Sequence, residues 1–354
     1  MVELGSFGAL REAIAQLGLG TQAQSADVFC TLAWFENLAA HGLDARTSPM
    51  LLLAHDASTH SAVCLPLLAT PTSLNSLSNY YSSLYGPLVW EPSQLDASVD
   101  CWQAIAQHVR QHATRWSTIV LSPLDDHSPA YQLLQQALRR AGYLVDTYFC
   151  FGNWYLCVDG RSFAAYAQKL PSPLRHSIER GQRRLNRQGQ WNVHIQIQID
   201  ERLEPAIDSF VQVYSQSWKA PEPHPQFIPQ LVRTAAQQGW LRLGVLALDG
   251  QAIAAQLWLV HNGKASIYKL AYVEGFERYS AGSVLTHALM QHVIDADHVH
   301  EVDYLTGDDA YKQDWMSHRR ERRGIVAFDL RTLRGVALAV RHGVGKWLKR
   351  HSTR

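Results

Sequence analysis

The tightest constraint on this chain lies between residues 240 and 273, where Asp249-Gly250 and Asn262-Gly263 each separate two apolar runs. Both dipeptides favour the left-handed backbone that a two-residue hairpin turn needs. The runs Trp240–Leu248, Ala252–Val260 and Lys264–Val273 are therefore read as three strands of an antiparallel meander. Upstream, Trp191–Ile199 reads WNVHIQIQI, the strict alternation of a half-buried strand. Residues 203–218 and 226–238 predict two helices, parted by Pro221, Pro223 and Pro225. Downstream come a polar loop (Glu274–Ser280), a helix (Gly282–Ala296), a short strand (Glu301–Leu305), a short helix (Asp309–Met316) and a last strand (Arg323–Leu330).

The first half reads similarly. Ala26–Ala40 predicts a helix, Met50–His55 and Ala62–Ala69 paired strands, and 97–113 a helix. Thr118–Leu121 follows as a strand, Ser128–Ala141 as a helix and Tyr143–Val158 as a long strand. Element order alone, without evident identity between the halves, implies an internal duplication. The expected organisation is a half over 1–159, a half over 160–330 and a basic terminal helix over 331–354. The fold class is α/β (α+β): two tandem halves, each a mixed, mostly antiparallel sheet flanked by helices.

A chain of 354 residues is long enough for two such domains, and 47% hydrophobic against 18% charged residues suffices for real cores. The net charge of +1 gives no global bias towards DNA. Met1 to Gly5 do not read as the start of a secretory signal, and no run approaches a membrane span, so a cytoplasmic protein is expected. Five cysteines without a CxxC pair fit reduced, buried thiols. His108 and His112 have the spacing of a zinc pair but no third ligand motif, and no metal is expected. No GxSxG or GxxxxGK[ST] sequence occurs.

Several stretches together resemble one family. They are Tyr268-Lys269-Leu270-Ala271-Tyr272, Tyr279-Ser280-Ala281-Gly282-Ser283 opening a helix, Asp303-Tyr304-Leu305-Thr306-Gly307, Tyr311-Lys312 and Trp315. This pattern is similar to that of the GNAT-superfamily acetyltransferases. It is closer to their two-domain subgroup related to Fem-type aminoacyl transferases and linked to bacterial polysaccharide and cellulose synthesis. Ser217-Trp218-Lys219 and the arginines from Arg175 to Arg187 fit the same subgroup. The likeness covers about residues 160–330. It implies an acyltransferase that uses acetyl-CoA or another acyl-CoA, with a small-molecule or saccharide amine or hydroxyl as acceptor. Fem-type relatives use charged tRNA instead; the long helical hairpin expected of them is not seen in this sequence, which counts against tRNA. The other alternative is a non-catalytic module of the same shape in polysaccharide biosynthesis.

The resemblance also implies roles. The stretch Arg278-Tyr279-Ser280-Ala281-Gly282-Ser283 matches the family's pyrophosphate loop, although Ala281 and Ser283 stand where the pattern expects its small Gly/Ala positions. Backbone N–H groups there could still hold a phosphate at a helix start. A backbone N–H near Ala271 or Tyr272 would be the oxyanion donor. Tyr311 would protonate the leaving sulfur, or be a core tyrosine with a satisfied hydroxyl. Asp303 would be a general base or anchor for the acceptor amine, or a structural partner of Lys269 or Lys312. Lys269 lines a cleft or lies exposed on a one-sided sheet, Lys312 is a candidate acceptor contact, and Trp218 with Lys219 frames the acceptor pocket or packs on the core. The arginines at 175, 180, 183, 184 and 187 could receive phosphates or form a solvated helix face. The basic run Val336–Arg354 could lie on an anionic membrane surface, or be a docked or frayed terminal helix. The first half is expected to lack a cofactor site, since Ser73–Ser83 has no phosphate-loop pattern.

Overall fold

A computed structural model describes residues 1–21, 23–90, 99–112 and 116–352. The first elements are β1 (Val2–Leu4), α1 (Phe7–Gln16), α2 (Leu32–His41), β2 (Pro49–Asp56), β3 (Ser61–Ala69), β4 (Ser73–Ser76) and β5 (Leu88–Trp90). There follow α3 (Val99–Gln111), β6 (Thr118–Asp125), α4 (Pro129–Arg140), β7 (Leu144–Cys157), α5 (Phe163–Gln168) and α6 (Ser172–Gln188). Next are β8 (Trp191–Gln196), α7 (Leu203–Ser215), α8 (Phe227–Gln237), β9 (Leu241–Leu248), β10 (Gln251–His261) and β11 (Lys264–Tyr272). The chain closes with α9 (Ala281–Asp295), β12 (Glu301–Asp303), α10 (Ala310–Gln313), β13 (His318–Phe328) and α11 (Leu333–Ser352).

The chain forms two compact units. One holds residues 1–25, 29–151 and 321–354; the other holds 26–28 and 152–320. The change-over falls inside β7 and again inside β13, not at the expected boundaries of 159/160 and 330/331. The terminal segment 331–354 belongs to the first unit rather than standing apart. The two units share a topology. In the first, β1, β2, β3 and β4 pair antiparallel, β4 pairs parallel with β6 after α3, and β6 pairs antiparallel with β13. In the second, β8, β9, β10 and β11 pair antiparallel, β11 pairs parallel with β12 after α9, and β12 pairs antiparallel with β7. The fold is thus α/β, each unit with mixed, mostly antiparallel strand pairing flanked by helices. Each unit's last strand comes from the other sequence half, which element order could not reveal.

Both hairpin turns form as the dipeptides require: φ is +50° and +81° at Asp249-Gly250, and +46° and +71° at Asn262-Gly263. Other expectations need correction. Ala26–Ala40 is not one helix: a single 3₁₀ turn covers Val28–Cys30, and the Thr31 hydroxyl then accepts the Trp34 N–H to start α2. The strand expected to reach Ile199 ends at Gln196, whose side chain bonds the Asp200 carboxylate instead of continuing the ladder. The strand expected over Glu301–Leu305 stops at Asp303, since Leu305 adopts φ +56°. The helix expected over 97–113 is α3, with 97, 98 and 113 outside the described residues. All five cysteines are free, with Cys64 and Cys101 buried and the others half-buried.

In the second unit α9 supplies the main apolar wall. Val284, Leu285, Leu289, Met290, Val293 and Ile294 are buried against the sheet residues Leu246, Ile253, Ala254 and Ile267. Across α9 lies α6, which buries Ile178 and Leu185. Gly181 stands where α6 meets the start of α9, and a Cβ there would collide with the Tyr279 carbonyl oxygen. Substituting Gly181→Ala is therefore expected to push α6 off the 277–283 loop. Overpacking of this kind costs about 1–3 kcal/mol, to be read as a lower urea midpoint with an unchanged slope.

Candidate functional site

Strands β11 and β12 run side by side for three residues only: Lys264 opposite Glu301, Ala265 opposite Val302, and Ser266 opposite Asp303. The ladder with β12 ends at Ser266, while β11 itself continues to Tyr272. The Val273 N–H bonds the Ile253 carbonyl on the β10 side. Alternation along the strand turns the Ala271 N–H the same way and leaves those of Leu270 and Tyr272 on the open edge. Of the two backbone donors named from the sequence, Tyr272 faces the gap and Ala271 does not.

The gap opens into a cavity of about 370 Å³. Trp218, Tyr272, Tyr304, Tyr311 and Trp315 supply its aromatic walls, and Ser280, Ala281, Gly282 and Ser283 the start of α9. Ser280 is left-handed (φ +49°), which turns the loop sharply into the helix. Its hydroxyl lies 3.0 Å from that of Ser177 on α6, and Arg184 of α6 donates to the Arg278 carbonyl. As at any helix start, the N–H groups of Ala281, Gly282 and Ser283 have no partner within the helix. Arg278 does not line the cavity: its guanidinium donates to the Tyr279 hydroxyl at 2.6 Å and stacks on that ring.

Tyr311 is about half exposed, and its ring meets that of Tyr304 edge-on at 5.6 Å. Burial first, then the nearby Asp309 carboxylate, pushes its hydroxyl up to about 12. Trp218, past the end of α7, packs on Tyr272 at 4.4 Å and keeps half its surface open. Leu270, Glu277, Thr286, Tyr304 and Trp315 also line the cavity, unforeseen as site residues. Thr286 sits one turn into α9, its hydroxyl bonded to the Gly282 carbonyl and to Gln256. Thr286 is the one polar residue among the buried positions of α9, and a polar residue in the apolar stripe one turn after the loop was the available signal.

Asp303 lies elsewhere. It is 1% exposed and does not line the cavity. Its carboxylate accepts from Asn153 Nδ2 (2.5 Å), the Leu305 N–H (2.7 Å), Arg320 Nη2 (2.5 Å) and Lys264 Nζ (2.8 Å). Lys264 also pairs with Asp27, and Arg320 with Glu301. Opposing burial, these carboxylates raise both cations above their ordinary range. Asp303 is thus a structural anion, paired with Lys264 and Arg320 rather than with Lys269 or Lys312. Sequence spacing could not show this, because its partners come from three distant segments.

The three lysines are likewise committed. Lys269 is buried and bonds Glu222 from the proline-rich loop at 2.7 Å, so it is neither an open cleft residue nor an exposed one. The Lys312 ammonium donates to the Thr306 carbonyl and pairs with Asp309, tying down the 306–309 loop. Lys219 lies over the Tyr214 and Trp218 rings. Burial, then the charge of Lys269, lowers its pKa. None of the three lines the cavity. The His108 and His112 rings lie 4.6 Å apart, and no group of three metal-ligating side chains exists among the described residues.

Comparison with known proteins bears on the fold. Residues 172–313 match the acetyltransferase (GNAT) domain family. The fold is of the GNAT type. Among solved structures, the C-terminal domain of a putative lysylphosphatidylglycerol synthetase from Agrobacterium fabrum superposes with a TM-score of 0.56, over 91% of this chain and 92% of its own, at 15% identity. FemX superposes with a TM-score of 0.58, over 93% of this chain and 98% of its own, at 11% identity. A conserved protein of unknown function from Bacteroides thetaiotaomicron gives 0.53, over 92% and 98%, at 9% identity. At such identities the likeness is one of fold. No curated protein matches the sequence.

The Asp303 cluster yields a prediction that separates structure from chemistry. Asp303→Ala takes one shared carboxylate from Lys264 and Arg320, which keep Asp27 and Glu301, and leaves the buried Leu305 N–H without its acceptor, a loss of about 1–3 kcal/mol. Chemical denaturation should show that loss. A catalytic base would instead leave stability near that of the parent.

Proposed function

We propose that this chain is an acyltransferase that moves an acyl group from acyl-CoA to an amine or hydroxyl of a small molecule or saccharide precursor. The observation that carries this reading is that one cavity gathers three parts of thioester chemistry. These are an uncapped helix start, an open strand edge with outward N–H groups, and a tyrosine hydroxyl that keeps its proton. Acyl-CoA would supply the activated acyl group and a leaving thiolate. The N–H groups of Ala281, Gly282 and Ser283 would bind its phosphates, with the α9 dipole favouring the negative charge. Tyr272 N–H would donate to the thioester carbonyl oxygen as charge develops on it. Tyr311 would hand its proton to the departing sulfur.

No buried base stands among the lining residues. Glu277 is the one carboxylate that lines the cavity among the described residues, held below its ordinary range by backbone N–H bonds within its turn and from Gly275. That suits anchoring an acceptor ammonium better than removing a proton. An acceptor amine would then arrive with solvent taking its proton.

A second reading has its own support. The exposed face of α6 carries Arg175, Arg180, Arg183, Arg184 and Arg187, none paired with a carboxylate among the described residues. Through Arg184 and Ser177 this helix braces the same loop. An aminoacyl ester of tRNA, as in Fem-type transferases, would place a polyphosphate chain on such a face.

Calorimetry with acetyl-CoA tests the first reading. Binding that weakens at least ~10-fold, about 1.4 kcal/mol, in Ala281→Glu supports it. No binding at millimolar CoA, with acyl transfer from charged tRNA, overturns it in favour of the second. For the chemistry, Tyr311→Phe should lower kcat by roughly 10²–10⁴-fold and leave thioester affinity nearly unchanged. Because the raised pKa favours the neutral phenol, Tyr311 remains a competent acid until pH rises towards about 12. The pH–kcat profile should therefore show no alkaline fall below about pH 10.

A further inference from the structure

Helix α11 turns its apolar side outward. Its sheltered side is made of Gly335, Leu338, Ala339, His342 and Gly345, and it is fastened to β7 through Asp146. Asp146 bonds His342 Nε2 at 2.9 Å and Lys346 Nζ at 2.7 Å. Burial opposes ionisation of Asp146, yet bonds from Lys346, the Thr147 N–H and His342 hold its pKa down to about 2. The Asp146 carboxylate therefore stays charged at neutral pH, and its bonds fix which face is left over. On that face Leu333 is 92% exposed, Val336 41%, Val340 60%, Val344 52%, Trp347 58% and Leu348 54%. At 3.6 residues per turn these six fall within an arc of roughly 120°. Arg334 and Arg341 flank it on one side, with no carboxylate partner among the described residues.

A helix docked on a soluble domain ordinarily buries such a stripe and shows its polar side to water. This one does the reverse, and the charge around the stripe says what would cover it. From Leu330 to Arg354 there are seven Lys or Arg residues and no Asp or Glu. A second copy laid stripe to stripe would bring arginines together with no carboxylate on the helix to offset them. An anionic lipid surface meets both needs: headgroups for the arginines, the acyl boundary for the valines and leucines, and an interfacial position for Trp347. No described helix is long and apolar enough to cross a membrane, so the contact would lie along the surface.

We propose that α11 is an interfacial anchor that lays its Leu333–Leu348 stripe on an anionic bilayer. The test is co-sedimentation of the full chain with phosphatidylcholine vesicles, with and without phosphatidylglycerol. The expected result is binding that requires phosphatidylglycerol, weakens with salt, and falls at least ~10-fold in Val340→Asp/Val344→Asp. Arg334→Glu/Arg341→Glu alters only exposed side chains, so it serves as the second variant. It should lose binding to a similar degree with an unchanged melting curve. Three results would overturn the proposal: no binding to either vesicle, binding that neither double variant weakens, or a dimer in analytical ultracentrifugation that Val340→Asp/Val344→Asp dissolves.

Discussion

The buried carboxylate of Asp303 accepts four donors, and their positions decide where β11 and β12 part. Lys264 at the start of β11 and Asp303 at the end of β12 hold the two strands together at one end. The Leu305 N–H, drawn back onto the same carboxylate, bends the chain into a left-handed residue and away from β11. Asn153 on β7 and Arg320 on β13 fix the other side of β12. Two cations among three carboxylates leave the cluster one charge negative, so burial is tolerable only because nearly every polar atom is bonded. A stiff ionic hinge at one end thus accompanies a gap at the other, and the gap opens into the aromatic-walled cavity.

The second-half meander was legible because its information is local. Asp249-Gly250 and Asn262-Gly263 demand positive φ, and apolar alternation fixes which faces turn inward. The start of α9, Tyr272, Tyr311 and Trp218, which line the cavity, were singled out for a different reason, a resemblance in motif. Asp303 misled because a carboxylate on a short apolar strand reads alike for a base and for an ion-pair hub. Only the arrival of Asp27, Asn153 and Arg320 from elsewhere in the chain distinguishes them. Lys269 and Lys312 misled similarly: Glu222 and the Thr306 carbonyl, which satisfy them, sit on loops without periodicity.

The loop before α9 shows how a departure from a sequence pattern can be made good by packing. Ser280 takes up the left-handed turn itself, while Gly181 on the neighbouring helix provides the clearance. The small residue that the motif expects in the loop is in effect supplied by α6. A pattern search confined to residues 278–283 therefore undervalues the site.

The shared topology of the two units has a consequence for synthesis on the ribosome. The first unit's sheet ends on β13, which emerges only after the whole of residues 152–320. Until then β6 is an unpaired edge, open to any extended segment nearby. The second unit in turn needs Asp27, made near the beginning, to neutralise Lys264. The first unit therefore cannot be completed in the order in which it is translated, whereas the second has all its parts once residue 320 is made. The nascent protein must hold its N-terminal sheet unfinished until nearly the last strand is released, a state in which shielding by a chaperone would matter most.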